Sequence, residues 1–296
     1  MSAANERTVT ETGWRGRSAR YHRVMRGLLT AVVIAAGLKL LVWWLEPRMA
    51  FFPIRGVQET PAVANLPFAD LRIPTADGET LHAWWIDHPQ PSAHVIFFHG
   101  NGGNMSLWLD VIVELRRRGF AVLALDYRGY GDSTGRPSER GLYRDADAAV
   151  RTFNERFRRP GTPVLYWGRS IGCAVAASAA QRAAPDALVL ESPFPSMRSI
   201  FAGNPVMGFL TVFSSYRFPT SRFLERYDRP LLVIHGDADS IIPYRLGRQV
   251  FDRAPGTRKT FVNIPGADHN DLHVVHPPMY WRAVEEFVRA LRVSTP

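Results

Sequence analysis

Ser170 stands in Gly168-Arg169-Ser170-Ile171-Gly172, between an apolar run that reads as a strand and a second that reads as a helix. A serine hydroxyl attacks a carbonyl only when a base takes its proton and an acid orients that base. The chain supplies both further on. HGDADSIIP offers Asp237 and Asp239, and IPGADHNDLH offers His269. Serine, then aspartate, then histidine is the order of a nucleophile elbow on an open parallel sheet. Asp239 is the expected acid. Asp237, closer to its strand end, is expected to brace the loop, and Glu191 is the alternative acid. His269 is the expected base because it follows a Gly-Ala-Asp turn at a strand end, whereas His273 and His276 approach the last helix. His99 and His235 end strands just before a glycine, a setting that suits hydrogen bonding to loops.

The elbow glycines have a steric reason, since side chains at 168 or 172 would collide with the neighbouring strand and helix. The Ile171 N–H, opening the helix, points where a developing oxyanion would sit. A second donor is expected from His99-Gly100-Asn101-Gly102-Gly103-Asn104, with the Asn101 N–H first and Gly102 as second choice. Neither a Walker Lys-Ser/Thr pair nor a Rossmann fingerprint accompanies this loop, which argues against a phosphate cradle. Cys173 is the only cysteine, so there is no internal disulfide and no cysteine-based zinc site. It is expected to pack in the helix behind the elbow. No histidine pair has ligand spacing on one element, so neither a metal nor a cofactor is expected.

The elements that must hold these residues alternate regularly. Strands are expected at 70–73, 81–86, 93–98, 120–126, 163–167, 187–190, 231–235 and 259–263. Helices are expected near 104–118, 139–158, 171–183, 245–253 and 279–292. Continuous apolar strands alternating with helices mean a mostly parallel central sheet covered on both faces, with the chemistry at the carboxyl ends of its strands. Residues 192–226 break the rhythm with four prolines and many apolar residues, and read as a small cap over the site. Its Phe194, Met197, Met207 and Phe209 are expected to contact substrate, with Phe201 and Phe213 as further apolar members.

Residues 28–45 are apolar apart from Lys39, and at about 1.5 Å per residue they extend roughly 27 Å, close to a bilayer core. Lys39 is expected to snorkel to the interface, and Trp43 and Trp44 fit an aromatic belt. Arg15, Arg17, Arg20, Arg23 and Arg26 precede the run, which puts the basic tail of 1–27 in the cytoplasm. No small-x-small cleavage site follows the run. The expected arrangement is a bacterial inner-membrane protein with a single-pass anchor at 28–45. Its domain at 50–296 would lie on the periplasmic, extracytoplasmic side. With 296 residues and 46% hydrophobic content the chain holds one large core. The net charge of +9 rests on arginine, Lys39 and Lys259 being the only lysines, and no basic-aromatic face suggests a nucleic-acid partner.

FFHGNGGN, DYRGYGDSTGRPSE, WGRSIGCAVA, ESPF, HGDADSIIP and PGADHNDL together resemble the α/β-hydrolase superfamily, over about residues 50–290. The chain looks most like the membrane-anchored hydrolases of the bud-emergence type, whose hydrophobic segment precedes a stretch similar to EPRMAFFP at 46–53. The resemblance implies Ser170, Asp239 and His269 as a triad, with Asn101 and Ile171 as the oxyanion hole. It also implies that the Asp126–Gly131 turn braces the site. Relatives cleave acyl esters, thioesters and lysophospholipids, so a small acyl or lipid substrate is expected. A peptidase on the same fold and a non-catalytic membrane-anchored binding protein are the alternatives.

Overall fold

The computed structural model describes the backbone of residues 5–293 and the side chains of residues 20–292. Residues 1–4, and the side chains of most of the expected basic tail, lie outside the described residues. The chain opens with helix α1 (Asn5–Ala50). Within it Arg20–Ala50 contains an 18-residue window of mean hydropathy 2.1, which makes it long and apolar enough to cross a membrane. Ten strands follow: β1 (Phe52–Pro53), β2 (Ala69–Pro74), β3 (Thr80–Ile86), β4 (Ala93–Phe98), β5 (Gly102–Gly103), β6 (Phe120–Leu125), β7 (Val164–Arg169), β8 (Ala187–Glu191), β9 (Leu231–Gly236) and β10 (Lys259–Ile264). Eight of them form one sheet in the order β10-β9-β8-β7-β4-β6-β3-β2. Only β3 runs antiparallel to its neighbours; from β6 to β10 every pairing is parallel.

Burial explains why the central strands lack alternation. Every residue of β4, β6, β7 and β9 is buried, because helices cover both faces. On one face lie α3 (Glu139–Arg156), α4 (Ile171–Ala180) and α8 (Tyr244–Arg253); on the other lie α2 (Leu109–Arg117) and α10 (Pro277–Val293). The edge strand β2 does alternate, burying Leu71 and Ile73 and exposing Arg72 and Pro74. The start of the 104–118 helix is split: Asn104 accepts from the Ser106 N–H at 2.9 Å and caps a 3-10 turn, after which α2 begins.

Two local features were not legible beforehand. Strand β1 pairs in parallel with β5, stitching the chain just after α1 to the His99–Asn104 loop. The expected cap also divides. Its helices α5 (Met197–Ile200) and α6 (Pro205–Leu210) stand off the sheet, whereas α7 (Thr220–Leu224) packs on α4 and α8 and buries Thr220 and Leu224. The apolar character of residues 218–224 therefore belongs to the domain core.

His94 in β4 is fully buried, with the rings of Trp85 and Phe153 packed on it. Burial and the nearby Arg159 charge lower its pKa from 6.5 to about 4. The unfolded chain therefore binds a proton near pH 6.5 that the native state refuses until about pH 4. This contribution is full above pH 6.5 and falls as the pH drops through that window, by roughly 3 kcal/mol in all. Denaturant melts of the detergent-solubilised chain at pH 7 and pH 4.5 are expected to show the loss, and His94→Phe to flatten it. An equal pH slope in both proteins would contradict it.

Candidate active site

The elbow is built as its residue types require. Ser170 lies between β7 and α4 with φ +54° and ψ −118°, a strained conformation worth about 1–3 kcal/mol. The fold enforces it: the Ser170 N–H donates to the Glu191 carbonyl at 2.8 Å, and its own carbonyl accepts from the Cys173 N–H at 3.0 Å. A Cβ at Gly168 would lie 2.4 Å from the Gly172 carbonyl oxygen, and one at Gly172 would lie 2.1 Å from the Phe98 carbonyl oxygen. Only glycine lets α4 start this close to β4. Cys173 is fully buried, its Sγ donating to the Gly168 and Glu191 carbonyls, and burial pushes its thiol pKa well up.

Asp239 and His269 meet on the loops after β9 and β10. His269 Nδ1 lies 2.8 Å from Asp239 Oδ2. Asp239 Oδ1 accepts from the Ile241 and Ile242 N–H groups at 3.0 and 2.7 Å. Burial alone would raise the Asp239 pKa, but hydrogen bonds from His235 and His269 outweigh it and hold the carboxyl far below its usual range. Asp237 points elsewhere, accepting from the Gly266 N–H and Asn263 Nδ2, so it braces the loop as its position suggested. His235 Nε2 sits 2.9 Å from the Ile242 carbonyl and 3.2 Å from Asp239, and so steadies that carboxylate from behind.

The loop expected to carry the second oxyanion donor is held from below. Tyr130 Oη donates to the Asn101 backbone oxygen at 2.9 Å, and Tyr127 Oη to the His99 carbonyl at 3.0 Å. Asp126 accepts from the Met105 N–H at 2.7 Å. The Asp126–Gly131 turn thus acts as a strut under the loop.

Ser170, His269, Asn101 and Ile171 all line one cavity of about 900 Å³. Phe194, Met197 and Met207 line it too. Phe209 does not: it is 58% exposed and packs edge-on to Phe213 on the outer side of the cap. The short α6 turns that position outward, which no pattern in so brief an apolar segment reveals. The opposite wall is α1, through Leu38, Leu41, Val42, Leu45 and Met49. Their spacing is helical, but the surrounding run is apolar on every side and hides the stripe. Lys39 does not reach for an interface by itself; its Nζ donates to the Phe213 carbonyl at 2.7 Å and to Ser215 Oγ at 3.1 Å. Among the described residues no group of three or more His, Cys, Asp or Glu side chains converges on a metal-sized site.

Glu191 does not serve as an acid for His269. It is fully buried and accepts from Trp167 Nε1 at 2.6 Å, from Tyr280 Oη, and from Arg169 at 3.0 Å. Arg169, also fully buried, spends its other terminal nitrogen on the His269 backbone carbonyl at 3.0 Å, and its guanidinium stacks 4.6 Å from the Trp108 ring centre. The residue beside the serine therefore holds the histidine's main chain. Its chemistry was readable only as a variable position of the elbow. Arg169→Met is expected to destabilise the chain by about 3–5 kcal/mol, because it strands a buried carboxylate. Adding Glu191→Gln is expected to restore part of that loss. Urea unfolding checks both, and strictly additive losses would show that the two side chains act independently.

A family model described as serine aminopeptidase, S33 matches residues 89–229, a stretch that holds Ser170 and stops short of Asp239 and His269. An uncharacterized protein of Mycobacterium tuberculosis is 30% identical over 268 residues, covering 90% of this chain and 95% of that one. The lysophosphatidylserine lipase ABHD12 of Macaca fascicularis is 32% identical over 225 residues, 66% of this chain and 55% of the relative's length. Among solved structures, the Pyrococcus furiosus esterase Pf2001 superposes with a TM-score of 0.67 at 24% identity, over 82% of this chain and 98% of its own, a likeness of fold. With the sheet order and the elbow already described, these matches identify the chain as a serine hydrolase belonging to the α/β-hydrolase superfamily.

Proposed function

We propose that this chain is a membrane-anchored hydrolase of carboxylic esters or thioesters with a lipid or long acyl group, acting through Ser170, His269 and Asp239. One observation carries the reading: the 2.8 Å His269–Asp239 contact and the strained Ser170 share one apolar cavity of about 900 Å³. His269 takes the Ser170 proton as Oγ attacks the carbonyl, and Asp239 holds the ring and stabilises its cation. The Ile171 and Asn101 amides receive the oxyanion charge. The imidazolium then protonates the leaving alcohol or thiol, and a water activated by the same base releases the acyl group. None of these steps uses a cofactor. The relatives named lysophosphatidylserine lipases support a lipid substrate. In the anchor, Arg20, Arg23 and Arg26 precede the apolar run, which favours a cytoplasmic N-terminus and a domain on the outer face of a bacterial inner membrane.

The description of the matched family keeps an aminopeptidase in view. Such an enzyme needs a free carboxylate in its cavity for the substrate amine. The two carboxylates lining this one are engaged: Glu46 by the N–H groups of Ser215 and Tyr216, and Asp110 by His273 at 2.8 Å. The ester reading is therefore preferred.

A fluorophosphonate probe applied to the membrane fraction is expected to label the chain, and Ser170→Ala to abolish labelling. Labelling that survives this change would remove Ser170 from its role. With p-nitrophenyl esters of rising length, kcat/KM is expected to increase from acetyl towards medium and long chains. A strict acetyl preference would exclude the lipid assignment. Asp239→Asn is expected to lower kcat by on the order of 10⁴-fold, since the ring loses its oriented tautomer; a change of only a few-fold would show that another group orients His269.

A further inference from the structure

Resting on the reading of α1 as a membrane anchor, we propose that the cap is itself immersed in the bilayer. Residues 205–215 would sit in the outer leaflet beside α1, and the cavity would open to hydrocarbon there. An acyl chain would then reach Ser170 sideways from the leaflet.

Residues 20–37 of α1 are exposed on every side, whereas Leu38, Val42, Leu45 and Glu46 are half-buried on one face. Of the apolar run 28–45, only residues 28–37 project free of the domain, about 15 Å of helix against a hydrocarbon core of about 30 Å. The run spans that core only if its second half, about 12 Å long at the helical rise, is also within it. The cap packed beside that half must then be within it as well.

Lys39 lies four residues on the membrane side of Trp43, about 6 Å deeper by the helical rise. An ammonium at that depth needs partners, and the cap supplies the Phe213 carbonyl and Ser215 Oγ. Backbone in hydrocarbon must likewise be bonded internally. Asn204 Oδ1 accepts from Val206 and Met207, and Gly208, Thr211, Val212 and Phe213 donate to carbonyls within the cap. Ser215 and Tyr216 donate to Glu46 of α1. The cap is closed upon itself and upon the anchor.

From Ser199 to Tyr216 the chain carries no acidic or basic side chain, with Arg198 and Arg217 immediately outside. Val206, Phe209 and Val212 are 68%, 58% and 54% exposed. In water this face is an unexplained apolar patch, and in a leaflet it is matched to its surroundings. Leu41, which lines the cavity, is itself 51% exposed, so the cavity reaches the surface beside α1 at this depth.

The test uses the full chain in phosphatidylcholine–phosphatidylglycerol vesicles. An environment-sensitive dye is attached at Phe209→Cys, at Val212→Cys and, as a water-facing reference, at the exposed Glu155→Cys. Cys173 is fully buried, and the unsubstituted chain reports any labelling there. Lipids with a nitroxide on the acyl chain are expected to quench the two cap dyes and spare the reference, with iodide doing the reverse. Cap dyes as open to iodide as the reference would overturn the proposal. Turnover gives a second readout. Phe209→Asp and Val212→Asp are expected to lower kcat/KM on a vesicle-embedded long-chain ester by about tenfold or more, and to leave p-nitrophenyl acetate hydrolysis unchanged. Equal effects on both substrates, or none on either, would also overturn it. Quenching does not depend on activity, so a chain that fails the fluorophosphonate test loses the hydrolase reading while its cap depth is still read.

Discussion

The buried ion pair between Arg169 and Glu191 holds together parts of the chain that sequence keeps far apart. Glu191 ends β8 and Arg169 ends β7, so their contact joins neighbouring strand ends under the elbow. Tyr280 and Trp167 complete the carboxylate's hydrogen bonds, and the Trp108 ring covers the guanidinium. Two buried charges are costly unless they are paired and hydrogen-bonded; both Glu191 oxygens accept here, while the Arg169 Nε–H keeps no partner. What the pair secures is geometry. A second guanidinium nitrogen holds the main chain of His269, 100 positions away, so one network sets the strand end that strains Ser170 and the loop that carries His269.

A second set of polar contacts governs the opposite side of the cavity. Lys39 and Glu46 fall on α1 about two turns apart, and both reach the cap between Phe213 and Tyr216. Helix α1 is thereby part of the cavity itself. It forms one wall of the cavity, the cap forms another, and the two are clipped at charged residues that an isolated apolar helix would exclude. Between these walls, Phe194, Met197 and Met207 meet Leu38, Leu41 and Leu45 across the space above Ser170. The small β1–β5 pairing adds a third tie, running from the end of α1 into the loop that holds Asn101.

Much of this was legible from residue order. Continuous apolar strands implied burial on both faces, and their regular alternation with helices implied a parallel sheet. The strained turn at Ser170 and the closeness of its helix followed from two glycines. Asp239 over Asp237 followed from loop position, and the structure pairs Asp239 with His269. Other features were hidden for physical reasons. Glu191 read as an alternative acid because a carboxylate at a strand end looks the same whether it meets an imidazole or a buried arginine. Phe209 read as a cavity residue because a helix of six residues is too short to show which face it turns inward. The wall formed by α1 was invisible because periodicity disappears where every position is apolar.

The sequence by itself determined the fold class, the backbone strain at Ser170 and the order in which Ser170, Asp239 and His269 occur, since these depend on local steric rules and strand burial. Only the tertiary structure decided which side chains hold those groups in place and what encloses the space above them. Arg169, Glu191, Lys39 and Glu46 acquire their roles from partners at least 22 residues distant in the chain, at spacings that no local pattern encodes.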